Sequence, residues 1–208
     1  MATKKETGKI KVIIADDHPL FRRGLKNAFS ETPDIEVVDE AESGEELLEK
    51  ARGTDLGVAI LDISLPGAGG LEILKQLRDE RPKLPVLILT VYPEEHYAVR
   101  FFKAGASGFI MKESSADQIY TAVRKVADGG KYASPTITEK LAFDFSKSDR
   151  PAHERLSDRE HQVFIMLAEG QSPTEIGKEL SLSVKTISTH RSRILDKMQM
   201  KKNAELIH

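Results

Sequence analysis

The 208-residue chain has no cysteine, which excludes disulfide staples and thiol chemistry and is compatible with a reducing compartment. Long apolar runs are also missing. The longest are about six residues, such as residues 86–89 with their flanks, against the roughly 18 needed to span a bilayer. The first nine residues are polar and basic, and the apolar stretch from Ile10 is broken by Lys11 and stops at two aspartates. No secretory leader is expected there, and residues 1–8 are expected to form a disordered tail. There is no Walker-type phosphate loop. Gly67-Ala68-Gly69-Gly70 is a fragment of a dinucleotide fingerprint, without its spacing and not after the first strand. Nor is there a large charge of one sign, since the net charge is −2.

What is present, 39% hydrophobic and 31% charged residues, suits a soluble globular protein of one large or two small domains. The small net charge hides an asymmetry. Residues 1–130 carry 18 basic and 22 acidic side chains, whereas residues 183–202 carry six basic ones and only Asp196 acidic. A basic stretch at one end of an acidic chain points to an anionic partner for that stretch, although a solvated helix face is the ordinary reading of such a run.

Residues 9–130 read as five short strands alternating with five helices, the pattern of a doubly wound parallel sheet. Strands are predicted at residues 10–15, 35–41, 58–61, 85–90 and 108–112. Pro19 suits a first helical turn, Ser43-Gly44-Glu45-Glu46 is a capping box, and Gly105 and Gly129 stop helices. Polar residues fall at the strand ends: Asp16 and Asp17 after the first, Asp62 after the third, Thr90 at the end of the fourth, Lys112 at the end of the fifth. Each alone has an ordinary reading as a cap, a turn or a surface lysine, and an isolated Asp62 is most simply a turn residue. Together they line the carboxyl edge of one sheet, where open α/β sheets hold ligands.

Three carboxylates at one place repel, and a hard divalent cation with oxygen ligands relieves the repulsion. Mg2+ suits a site that also handles phosphate, because it keeps waters that phosphoryl oxygens can replace. Asp62 would then be a nucleophile toward phosphorus, with Lys112 neutralising charge and Thr90 bonding the new oxygens. A phosphatase of the haloacid dehalogenase type would need a second aspartate two residues on, and that position is Ser64.

The stretches Asp16-Asp17, Leu61-Asp62-Ile63-Ser64-Leu65-Pro66-Gly67, Leu89-Thr90 and Ala104-Gly105-Ala106-Ser107-Gly108-Phe109-Ile110-Met111-Lys112 resemble the receiver domain of two-component response regulators. The resemblance covers residues 9–130 and implies a flavodoxin-like five-stranded sheet. It implies that a sensor histidine kinase phosphorylates Asp62. Mg2+ would be bound by Asp17, Asp62 and the Ser64 carbonyl, and by Asp16 through water. Thr90 and Phe109 match the family's switch pair. Lys112 is followed by Glu113 where many receivers have proline, a departure that touches only local peptide geometry.

Residues 131–152 read as a linker with a short helix at residues 135–145 and a polar tether after it. Residues 153–208 read as a small all-α domain. Ser157-Asp158-Arg159-Glu160 is a capping box, Gly170 stops that helix, and Ser172-Pro173-Thr174-Glu175 starts a short one. A tight turn at Ser181-Leu182 leads to a longer helix, residues 184–198, completing a helix-turn-helix. On that helix Val184, Ile187, Ile194, Leu195 and Met198 are expected on one face, and Lys185, Thr189, Ser192, Arg193 and Asp196 on the other. Arg191 falls within the apolar face and is expected to pair with Glu160.

This stretch is similar to the DNA-binding domain of the NarL/FixJ (LuxR-type) regulators, through Leu156-Ser157-Asp158-Arg159-Glu160, Glu175-Ile176-Gly177-Lys178-Glu179-Leu180 and residues 184–191. By position, Ser188, Thr189, Ser192 and Arg193 would reach base edges, while Lys185, Thr186, Lys201 and Lys202 would hold phosphates. The last helix, from Asn203, stops at His208. The family's is longer and supports dimerisation, so the chain is expected to be cut short there. The expectation is a bacterial, cytoplasmic, phosphorylation-controlled transcription regulator and not an enzyme beyond self-phosphorylation and slow dephosphorylation. Its partners would be a sensor kinase, promoter DNA, a second copy and RNA polymerase. A phosphate-independent regulator and an aspartyl-phosphate enzyme are the competing readings.

Overall fold

The computed structural model describes residues 8–67, 69–144, 156–198 and 200. The chain divides into two compact units, Met1–Lys140 and Leu141–His208. The division falls inside the stretch read as a linker, where a helix occupies Pro135–Asp144. The polar tether expected after it, the tail before Gly8, and Lys201, Lys202 and the final helix lie outside the described residues.

The first unit alternates strands and helices: β1 (Ile10–Ala15), α1 (Pro19–Ser30), β2 (Ile35–Ala41), α2 (Gly44–Gly53), β3 (Val58–Leu61), α3 (Gly70–Glu80), β4 (Val86–Thr90), α4 (Glu94–Lys103), β5 (Gly108–Met111) and α5 (Ala116–Ala127). All strands are parallel, in the order β2-β1-β3-β4-β5. β3 and β4 are buried along their whole length, as unbroken apolar strands covered on both faces must be. Val12, Ile14, Val58, Ile60, Leu87, Leu89 and Ile110 form one cluster with Leu25 and Phe29 of α1 and Ile119, Val123 and Val126 of α5. Helix starts follow local chemistry. Pro19 occupies the first turn of α1, Ser43 accepts from the Glu46 N–H, and Ser115 with Gln118 closes a reciprocal box.

Register places the candidate residues. Ala15 pairs with Leu61, Leu61 with Ile88, and Thr90 with Met111, so Asp16, Asp62, Thr90 and Lys112 emerge at one edge. The loop leaving β3 is packed tightly against the start of α3, because a Cβ on Gly70 would stand 2.5 Å from the Ile63 Cα. Beyond β5 the sheet gains one bridge. Tyr132 N–H donates to Ser107 O and Phe109 N–H to Tyr132 O, both at 3.0 Å, and Gly108 opposite has no room for a side chain.

After α6 (Pro135–Asp144), the second unit has α7 (Asp158–Ala168), α8 (Pro173–Glu179) and α9 (Val184–Met198). Leu156, Val163, Met166, Ile176, Leu180, Ile187 and Ile194 form its core. Ser157–Glu160 and Ser172–Glu175 both close capping boxes. In the turn, Leu182 N–H bonds Gly177 O at 2.8 Å, and Ser181 takes a left-handed conformation at φ 54°. A Cβ on Gly177 would lie 2.7 Å from Leu182 O, so this approach requires glycine.

One expectation for α9 is corrected. Val184 is 47% exposed, because the buried face begins one turn later at Ile187. Glu160 pairs with Lys197, whose Nζ lies 2.6 Å from Oε2. Glu160 turns its carboxylate back to the Ser157 N–H at 2.7 Å to cap α7, which aims it at the C-terminal end of α9.

Candidate functional site

The carboxyl edge of the sheet gathers a buried charged cluster. Asp16 and Asp62 are 2% and 1% exposed, and the Lys112 ammonium lies 2.6 Å from Oδ2 of each. Asp62 sits on the first residue beyond β3. Its N–H is fixed to Ala15 O at 2.9 Å, and its Oδ1 accepts from the Ser64 N–H at 3.1 Å. Burial pushes the Asp62 carboxyl above the usual carboxylate range, against the pull of Lys112. Burial also opposes the Lys112 charge, but Asp62 and Asp16 outweigh it and hold the ammonium above its ordinary value. This is a basic pocket floor clasped by acids, and its carboxylates are short of counter-charge.

Asp17 and His18 complete the cluster at its open side. One ligand atom from each of Asp16, Asp17, His18 and Asp62 lies within 4.8 Å of the others. Oxygen-rich, with Asp16 and Asp62 buried and Asp17 and His18 at the open side, the donor set fits a hard divalent cation. Thr90 is fully buried, its hydroxyl oxygen accepts from the Tyr92 N–H at 3.2 Å, and its carbonyl accepts from the Lys112 N–H at 2.8 Å. Phe109 is buried with its ring 6.1 Å from that of Phe101. The residues expected at the pocket therefore stand on adjoining strand ends, with Phe109 one strand over.

Three contributors were not legible as site residues. His18 joins the acids because Pro19 begins α1 and leaves His18 extended at the helix start. Arg22, one turn into α1, donates to the Asp16 carbonyl at 2.5 Å and reaches Glu42, tying β1's end to the strand beside it. The Phe21 ring lies 4.7 Å from the Lys112 ammonium, a cation–π contact. The motif Asp16-Asp17-His18-Pro19 was the available signal, since an N1 proline fixes how the preceding side chains leave the sheet.

In the second unit, Lys185, Ser188, Thr189, Ser192 and Arg193 are all exposed on α9. The Thr189 and Ser192 hydroxyls donate back to the Lys185 and Ser188 carbonyls at 3.0 and 3.2 Å, so their oxygens remain as outward acceptors. Thr186 is half-buried, and its hydroxyl is 2.7 Å from that of Ser183 at the helix start. His190 faces inward, and burial holds its imidazole below the ordinary value despite nearby Glu160.

A parallel 2-1-3-4-5 sheet with this acidic pocket, joined in one chain to a helix-turn-helix unit, defines a receiver coupled to a nucleic-acid-binding effector. The sequence bears this out. Residues 12–124 match the response regulator receiver domain and residues 154–208 the luxR family of bacterial regulatory proteins. The chain belongs to the response regulators with a LuxR-type DNA-binding domain. It is 36% identical over 198 residues to response regulator GacA of Pseudomonas protegens, covering 95% of this chain and 93% of that one. To response regulator UvrY of Escherichia coli K12 it is 32% identical over 202 residues, covering 96% and 92%. Among solved structures it is similar to the response regulator ChrA of a heme-sensing two-component system, at 30% identity and a TM-score of 0.54, with 96% and 95% of the chains covered. It is also similar to RcsB of Salmonella bound to promoter DNA with a phosphomimetic, at 25% identity and a TM-score of 0.65, with 96% and 97% covered. Among the described residues, no helix is long and apolar enough to cross a membrane.

Proposed function

We propose that Asp62 accepts a phosphoryl group from a sensor histidine kinase, and that its occupancy controls dimerisation and the binding of α9 to promoter DNA in the cytoplasm of a bacterium. The observation that carries this reading is the ammonium of Lys112 shared by two buried carboxylates, Asp16 at the end of β1 and Asp62 at the end of β3. An Asp62 oxygen attacks phosphorus, the phosphorus–nitrogen bond of the donor phosphohistidine breaks, and the freed imidazole takes up a proton. Lys112 follows the charge onto the new phosphoryl oxygens, and the Ser64 N–H keeps Asp62 oriented. Asp16, Asp17, Asp62 and the Ser64 carbonyl would hold Mg2+, which supplies charge neutralisation on the transferring group.

Thr90 is the hydroxyl able to turn from the Tyr92 N–H toward a phosphoryl oxygen, leaving Phe109 to repack along β4 and β5. For DNA, Ser188, Thr189, Ser192 and Arg193 would read base edges, while Lys185, Thr186, Lys201 and Lys202 would hold phosphates. Two copies would bind a pseudo-palindromic site and contact RNA polymerase. No chemistry beyond self-phosphorylation and slow dephosphorylation is ascribed to the protein. Incubation with acetyl phosphate and Mg2+ followed by peptide mass analysis tests the acceptor. One alkali-labile phosphoryl group on the Asp62 peptide, absent in Asp62→Asn, supports it. Rapid multiple turnover with no adduct instead favours the enzyme reading.

A further inference from the structure

We propose that His18 is a direct ligand of the divalent ion held by Asp16, Asp17 and Asp62, and that its imidazole tilts this site toward Mn2+ and the later transition ions over Mg2+. The inference rests on the acidic pocket being a metal site.

The geometry carries it. His18 Nδ1 lies 3.1 Å from Asp16 Oδ1 and 2.8 Å from Asp17 Oδ1. Neighbouring ligands of an octahedral ion with metal–oxygen distances of about 2.1 Å stand about 3.0 Å apart. The nitrogen thus stands from each of the two oxygens at about the spacing of neighbouring ligands. The backbone prepares this. His18 is the residue before Pro19, with φ −94° and ψ 102°, and it occupies the helix N-cap without spending its side chain on a capping bond. Its own N–H donates to Asp16 Oδ1 at 2.8 Å, which fixes that carboxylate beside the ring. The His18 side chain is 64% exposed and the Asp16 side chain 3%, so the imidazole stands at the mouth of the pocket with the acids behind it.

Without a metal ion, Nδ1–H donates to the carboxylates. With one, the proton resides on Nε2 and the Nδ1 lone pair faces the ion. An imidazole adds little for Mg2+, which favours oxygen donors and retains its waters. It adds progressively more along Mn2+, Co2+ and Ni2+.

The test uses the full chain and the metal ion alone. Mn2+ bound to the wild type should show nitrogen-14 modulation in pulsed electron paramagnetic resonance, and the signal should change when histidine is labelled with nitrogen-15. His18→Ala and His18→Gln should both lose it. In calorimetry, His18→Ala should leave Mg2+ affinity within about twofold while lowering Ni2+ affinity on the order of tenfold. Mn2+ binding without nitrogen modulation overturns this proposal alone, and so does an equal loss for Mg2+ and Ni2+. Failure of the wild type to bind any divalent ion overturns it together with the metal-pocket reading. His18→Gln guards against a folding defect, since its carbonyl restores an oxygen donor.

Discussion

Replacing Lys112 by methionine keeps the apolar stem and removes the ammonium that stands 2.6 Å from an oxygen of Asp16 and one of Asp62. Those oxygens lie at most twice that distance apart. At about 5 Å and an effective dielectric of about 20, two like charges repel by about 3 kcal/mol. Wild-type protein offsets this with Lys112, and the variant cannot. In metal-free buffer at pH 8, Lys112→Met should therefore lower the stability of the first unit by about 3 kcal/mol, a fall on the order of 10 °C in its melting midpoint. The sign with pH follows from Asp62. Burial raises its carboxyl in the folded state above the unfolded value. The stability it brings is present below the unfolded value and is lost as pH rises through the folded one. The deficit should thus shrink from pH 8 to pH 5, since a carboxyl with a raised value is easier to protonate as pH falls, and added Mg2+ should recover part of it at pH 8. Circular dichroism melts in EDTA and in Mg2+ at both pH values measure it. Superimposable melts for variant and wild type at pH 8 in EDTA would refute the argument.

Four further outcomes follow from the second unit. Glu160 is held below its ordinary range because Lys197 and the Ser157 N–H outweigh the effect of burial. Its contribution is present above the unfolded value of about 4.5 and is lost as pH falls through the lower folded one, so acid titration should unfold Lys197→Met with a shallower pH slope than wild type. Ser181→Gly relieves a left-handed serine in the turn and should raise the unit's stability by up to about 1 kcal/mol in urea unfolding. Gly177→Ala forces a Cβ against Leu182 O and should cost about 1–3 kcal/mol and weaken DNA binding, read by the same unfolding and by gel shift. Lys185→Ala should weaken DNA binding uniformly across sequences and reduce the slope of log affinity against log salt by about 1.

The receiver fold was legible because its signals are local and agree with one another. Apolar runs such as residues 58–61 are long enough for a buried strand and too short for a helix, and prolines and serines mark the helix starts. The site was legible because strand ends of a parallel sheet fall on one edge, so naming the residue after each strand names the pocket. What escaped were contacts set by side-chain direction. The pairing of Glu160 with Lys197 depends on which way a capping carboxylate points, and periodicity along α9 carries no information about that. The role of Arg22 and the closeness of Phe21 to Lys112 depend on how α1 leaves the end of β1 and how far the Lys112 side chain reaches toward Asp16, a tertiary outcome with no local signature. Val184 fits the apolar stripe by spacing, yet it precedes the first turn that the core covers.

The central claim is that the phosphoryl state of Asp62 governs what α9 does to DNA. It is tested most directly by titrating promoter fragments with wild type and Asp62→Asn, each with and without acetyl phosphate and Mg2+. The account predicts that the donor tightens wild-type binding by about tenfold or more, a coupling on the order of 1.4 kcal/mol, and leaves Asp62→Asn unchanged. Equal affinity in all four conditions, with phosphorylation of the wild type verified by mass, would contradict it.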